Sequence, residues 1–237
     1  MKNYRIALFD SGVGGLSVLK VLDKTFDNTT FIYFGDNQNA PYGNKSQLEL
    51  NKIAFNVINY LTLYNIDCVI FACNTLSLST LSTMQKYFSI PILGVFPPVE
   101  TSVLRGEKAV LLATSLTSTF YNGIKNLKVY PLPFLASDIE KSIFNLKQID
   151  LHKHLYNIEG DFDRLILGCT HYNLIKSQIC DHLKPPKVYD GVCNMVNRLL
   201  KILPLQKSLV KHKENSILFV GKNKKFNEKV WFEVVAN

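Results

Sequence analysis

Short apolar runs alternate with stretches of helical periodicity along the whole chain. The runs Tyr4–Phe9, Phe31–Phe34, Cys68–Ala72, Ile92–Val95, Ala109–Leu112, Leu165–Leu167, Val188–Tyr189 and Ile217–Val220 predict strands, with Gly, Pro and Asn punctuating the intervals. Between them the periodicity predicts helices such as 47–64, where Ser46 and Glu49 stand at capping-box spacing. Strand and helix in regular alternation define an α/β protein with mainly parallel sheets.

No low-complexity linker interrupts the pattern, so a domain boundary has to be a plain loop. Two places suit one: Gly94–Pro98, where a strand meets a Pro-Pro pair, and the neighbourhood of Pro204. The resulting division is 1–94 plus 206–237 as a first α/β domain and 95–205 as a second, two similar domains facing a central cleft. Weak self-similarity supports it. The segments CVIFACNT and RLILGCTH share an apolar run, a small residue, a cysteine and then polar residues, with the cysteines about 96 positions apart. Each cysteine falls at the carboxyl end of a predicted strand, where open α/β sheets place ligands.

Composition narrows the class. The chain has 237 residues, 47% of them hydrophobic, enough for a large core. There is no run of eighteen apolar residues, and the opening MKNYRIALFD lacks the form of a signal peptide, so a cytoplasmic protein without a membrane partner is expected. Five scattered cysteines, with no C-x-x-C pair, predict free thiols rather than a disulfide framework or a zinc knuckle. The net charge of +8 raises nucleic acid as a partner, yet the densest lysine group, from Lys207 to Lys229, is interleaved with strand and helix patterns. A solvated surface accounts for it, and no nucleic-acid partner is expected.

Cys73 and Cys169 are the leading candidates for chemistry. A lone free cysteine is usually a small buried hydrophobe, and that reading is kept for Cys68, Cys180 and Cys193. Cys73 and Cys169 differ because each ends an apolar run and is followed at once by polar side chains. With an ordinary thiol pKa of about 8.5, a catalytic thiolate needs help. A helix N-terminus supplies part, and an imidazolium at His171 can add to it at Cys169. Moving a proton from one face of an α-carbon to the other takes two such groups, one as thiolate and one as thiol.

The loop Asp10-Ser11-Gly12-Val13-Gly14-Gly15-Leu16-Ser17 follows the first strand and approaches a dinucleotide fingerprint. Its third glycine is replaced by Ser17, and Asp10 stands where a pyrophosphate would approach, so close backbone contact with a small ligand is the better reading. Gly35 to Asn44 has the composition of a surface loop, but Tyr42 and the backbone around Gly43 are placed to bind a carboxylate. Thr114 to Thr119 reads first as N-caps and second as a carboxylate cradle. A metal pair at Cys169 and His171 lacks further ligands, so neither metal nor cofactor is expected.

These segments together resemble the cofactor-independent aspartate/glutamate racemases, and within them the glutamate racemases. DSGVGGLSVL at 10–19, GD and PYG within 35–43, ACNT at 72–75, ATSLTST at 113–119 and LGCTHY at 167–172 carry the resemblance over nearly the whole chain. It implies two α/β domains around a cleft and Cys73 and Cys169 as the proton-transfer pair. It also implies Asp10, Ser11, Tyr42, Gly43, Asn74, Thr75, Thr170 and His171 as substrate-binding residues, with Asp10 and His171 tuning the thiols. A further acidic residue of the family aligns loosely with Glu140. The implied activity is interconversion of L- and D-glutamate, supplying peptidoglycan, by a homodimer. Aspartate racemisation and non-catalytic dicarboxylate binding are the alternatives on the same scaffold. Phe96-Pro97-Pro98, Asn173 and the middle of GDNQNAPYG depart from the family pattern.

Overall fold

All eight apolar runs form strands, and they collect into two separate parallel sheets. The computed structural model describes residues 2–100, 106–143, 148–208 and 215–236; residues 209–214 of the lysine-rich stretch lie outside the described residues. The first part of the chain runs β1 (Tyr4–Asp10), α1 (Leu16–Thr25), β2 (Thr29–Gly35), α2 (Gln47–Thr62), β3 (Cys68–Phe71), α3 (Asn74–Tyr87) and β4 (Ile92–Gly94). A second part follows with β5 (Ala109–Ala113), α4 (Ser115–Thr119), β6 (Leu127–Pro131), α5 (Leu135–Lys141), α6 (His152–Leu155), β7 (Arg164–Gly168), α7 (Thr170–Leu174), α8 (Lys176–Leu183) and β8 (Val188–Tyr189). The chain ends with α9 (Val192–Ile202), β9 (Ser216–Phe219) and α10 (Lys224–Ala236).

The first sheet has the order β4-β3-β1-β2-β9 and the second β6-β5-β7-β8, all neighbours parallel. Apart from the added β9, the two are connected alike. In each, the first strand sends the chain to one neighbour and then back across to the other, so the strand order reverses between β1 and β3 and between β5 and β7. Those are the crevices where an open α/β sheet receives a ligand.

The strands read as continuous apolar runs because helices cover both faces. On β1, Ile6 and Leu8 join one core with Phe31, Tyr33 and Ile70, while Ala7 and Phe9 join the other with Ile32, Val69 and Phe71. The first core takes α1 through Leu16, Leu19 and Leu22 and also α9 through Val192, Met195 and Leu199. Helix α9 therefore packs with the first sheet, although the sequence-based division groups it with residues 95–205. The Ser46–Glu49 capping box is formed at the start of α2, with reciprocal bonds of 3.3 and 2.9 Å.

One strand, β6, escaped the pattern. It is an edge strand only partly buried, carries Lys128 as its second residue and ends on Pro131, so its apolar positions give no run.

Candidate active site

Both candidate cysteines sit at the switch points. Cys73 follows β3 and caps the N-terminus of α3; Cys169 follows β7 and caps α7. They line one cavity of about 210 Å³ together with Ser11, Tyr42, Gly43 and Asn74. Thr75, Thr114, Glu140 and His171 also face it. At about 30 Å³ per water molecule the space suits an amino acid and not a dinucleotide.

Asp10 and Thr170 lie behind this cavity rather than in its wall. The Asp10 carboxylate is completely buried, accepting the Gly12 N–H at 3.0 Å and the Thr170 hydroxyl at 3.2 Å. The glycine loop is thus already filled. Val13 N–H donates to Glu140 Oε2 at 3.1 Å, and a Cβ at Gly14 would come within 2.5 Å of His171 Nδ1. Two carboxylates occupy the N–H groups that a phosphate would need, which removes the nucleotide reading.

The surroundings of the two thiols differ. Burial, followed by the negative charge of Asp10, pushes the Cys73 thiol up to about 12. Hydrogen bonds from the first turn of α3 and from Ser11 pull the other way and lose. The helix N-terminus expected to activate this cysteine is present, but it is outweighed by desolvation. Cys169 instead has His171 beside it, with Nδ1 3.8 Å from Sγ. The opposite ring nitrogen meets Glu140 Oε2 at 2.7 Å. Burial lowers the basicity of this imidazole, yet the bonds to Cys169 and Glu140 prevail and hold it well above its ordinary 6.5. With the Glu140 carboxylate against one nitrogen and the Cys169 sulfur near the other, the protonated ring is the favoured form. Glu140 is reciprocally held below its usual range: burial opposes this, and the His171, Val13 and Asn37 bonds overcome it.

Polar walls complete the cavity. Tyr42 donates its hydroxyl to buried Asp36 at 2.7 Å, and Asn39 donates to both Asp36 oxygens at 2.9 Å, which fixes the loop presenting Tyr42 and Gly43. Thr75 shares hydrogen bonds with Thr114 at 2.9 Å and Thr117 at 3.0 Å, joining the start of α3 to that of α4. Thr114 is also an N-cap, accepting the Thr117 N–H at 3.3 Å, as the sequence of this stretch led one to expect. Asn74 lines the cavity while donating to Val95 O at 3.3 Å. Cys68, by contrast, is sealed in the core and raised to about 12 by burial.

The contribution of Glu140 could not be derived from local sequence. It occupies an ordinary-looking DIEK stretch, and its contacts to Val13 and Asn37 span more than a hundred positions. Only the family resemblance gave a signal, and a loose one.

Two like-wound α/β units with a cysteine after the equivalent strand of each, sharing one small cavity, define the class of two-unit α/β racemases. No protein-family model matches the sequence. The chain is 33% identical to the glutamate racemase of Leptospira interrogans, covering 98% of this chain and 97% of that one, and 35% identical to that of Clostridium novyi over 86% and 85%. The glutamate racemase of Francisella tularensis, solved in complex with D-glutamate, superposes with a TM-score of 0.76 at 26% identity, covering 100% of this chain and 95% of that one. The chain belongs to the glutamate racemase family and is an amino-acid racemase.

Proposed function

We propose that this racemase interconverts L- and D-glutamate with Cys73 and Cys169 on opposite faces of Cα, and that it supplies D-glutamate for peptidoglycan. The observation that carries the reading is the unequal charge around two thiols that share one cavity: Asp10 beside Cys73, imidazolium beside Cys169. In the empty cleft Cys73 holds its proton and is the acid. Cys169 is the base, its anion compensated by His171, which Glu140 keeps oriented and charged. Cys169 takes the Cα proton, negative charge spreads into the α-carboxylate, and Cys73 protonates the other face. The reverse reaction exchanges the two roles, and the substrate ammonium between the thiols offsets Asp10 while Cys73 is anionic.

Ser11, Thr75 and Thr114 supply hydroxyl donors for the two carboxylates, Asn74 its amide, and Tyr42 and Gly43 their backbone, the Tyr42 hydroxyl being engaged by Asp36. Asp10 and Thr170 act through Cys73 and the loop rather than by touching substrate. Among the described residues no helix is long and apolar enough to cross a membrane; we place the enzyme in the cytoplasm, as a homodimer.

Chiral analysis after incubation with L-glutamate and with L-aspartate in D₂O tests the reading. D-Glutamate carrying deuterium at Cα is expected. Binding of glutamate without exchange refutes it in favour of a non-catalytic binder, and exchange confined to aspartate reassigns the substrate.

A further inference from the structure

We propose that Lys141 is a specificity-determining residue of the cleft, its ammonium supplying the positive charge at the cavity that draws in and holds a dicarboxylate. The inference rests on the glutamate reading and concerns how the substrate's net charge is met.

Lys141 is the last residue of α5 and lines the cavity with Ser137 and Glu140 of the same helix. The spacing of 137, 140 and 141 puts all three on one face. Among the described residues it is the one lysine or arginine that lines the cavity. Every other formal charge in or behind the wall is negative or already engaged. Asp10 and Glu140 are carboxylates, and the His171 imidazolium is held between Cys169 and Glu140. An amino acid with two carboxylates carries a net charge of −1 into that environment, and a thiolate base adds to the repulsion. A cation at the mouth is therefore required for tight capture.

Lys141 is free to provide it. The side chain is exposed, and among the described residues it is in no ion pair. Of the two acids on the same helix, Glu140 is engaged by His171 at 2.7 Å, and Asp138 by Lys153 at 3.1 Å and His154 at 3.0 Å. The competing explanation is a solvated lysine that only favours the carboxyl end of its helix. That role would affect stability and leave substrate affinity alone.

The test uses the full chain, with initial rates measured in both directions at low and at elevated salt. Lys141→Met is expected to raise the KM for glutamate roughly three- to tenfold with kcat within about twofold, and to flatten the salt dependence of KM, since the exposed charge is screened by salt. Lys141→Glu should raise KM further, and Lys141→Arg should restore it. Glutarate inhibition should weaken in Lys141→Met while butyrate inhibition is unmoved, because only the former keeps both carboxylates. Lys52→Glu, the same charge change as Lys141→Glu at an exposed position of α2, should leave KM unchanged. Wild-type KM and salt slope in Lys141→Met overturn the proposal, as does an equal KM rise in Lys52→Glu or a loss confined to kcat. Failure of the unsubstituted protein to racemise glutamate overturns this proposal together with the functional reading; a racemising wild type with an indifferent Lys141→Met overturns the Lys141 role alone.

Discussion

Replacing Glu140 by Gln tests the charge arrangement directly. The side chain keeps its size and, with its one oxygen turned to the Oε2 side, still accepts from Val13 and His171; it gives up the Oε1 acceptor that Asn37 uses and the negative charge 2.7 Å from His171 Nε2. At an effective dielectric of about 20 the gross attraction of such a pair is roughly 6 kcal/mol. Desolvation of both partners cancels much of it, and a charge-assisted hydrogen bond nets about 1.5–3 kcal/mol. Both side chains are well shielded, at 6% and 17% exposure, so surface screening does not reduce this further. At about 1.4 kcal/mol per tenfold, kcat/KM should fall by roughly ten- to a hundredfold. The pH dependence carries the sharper signature. His171 has a raised folded pKa, so its stabilisation is complete below 6.5 and is lost as pH rises through the raised value; Glu140 has a lowered one, so its share is complete above 4.5 and is lost as pH falls through the depressed value. The stability difference between wild type and variant, read by denaturant titration, should therefore be largest between pH 4.5 and 6.5 and shrink on either side. The alkaline limb of kcat/KM should move to lower pH in the variant, because burial then governs the imidazole. A variant with the wild-type pH profile and rate would refute the imidazolium assignment.

Cys73→Ser and Cys169→Ser should each cut racemisation by roughly 10²- to 10⁴-fold in both directions, and near-normal turnover in either would end the two-thiol mechanism. In the empty enzyme, alkylation of Cys73 by iodoacetamide, followed by peptide mass spectrometry, should keep accelerating with pH towards about 12; a plateau near an ordinary thiol's value of about 8.5 would show that burial and Asp10 do not control this thiol. Tyr42→Phe removes the donor to buried Asp36 and should cost about 1–3 kcal/mol in denaturant unfolding while raising KM through the loosened 36–43 loop. An unchanged denaturation midpoint counts against the loop-bracing role.

The architecture was readable because the inner strands, buried on both faces, leave unbroken apolar runs, and because the cysteines occupy the same place after β3 and β7. What stayed hidden depends on contacts far apart in sequence. Glu140 reaches Val13 and His171 across different elements, and Thr75 finds Thr114 only when α3 and α4 meet. No local pattern distinguishes such a glutamate or threonine from a surface one. Edge strand β6 was lost for the opposite reason, since its half-exposed positions never form a run. Burial also reversed one local inference: the helix N-terminus at Cys73 favours thiolate by itself, but desolvation and Asp10 decide the outcome.

That reversal gives the two halves their distinct tasks. A racemase needs an acid and a base at once, whereas two like-wound units with matched cysteines would by themselves supply two equal groups. The scaffold is nearly symmetric and the charges are not: an anion stands behind Cys73, and a cation touches Cys169. The same residues tie the halves together, since Thr170 of α7 donates to Asp10 at the end of β1, and Glu140 of α5 accepts from Val13 of the first loop. On the proposed mechanism, each bond across the cleft therefore acts twice. It fixes the separation of the two thiols on either side of Cα, and it couples the protonation of one to the position of the other. A substitution that loosens either bridge should lower kcat before it lowers stability.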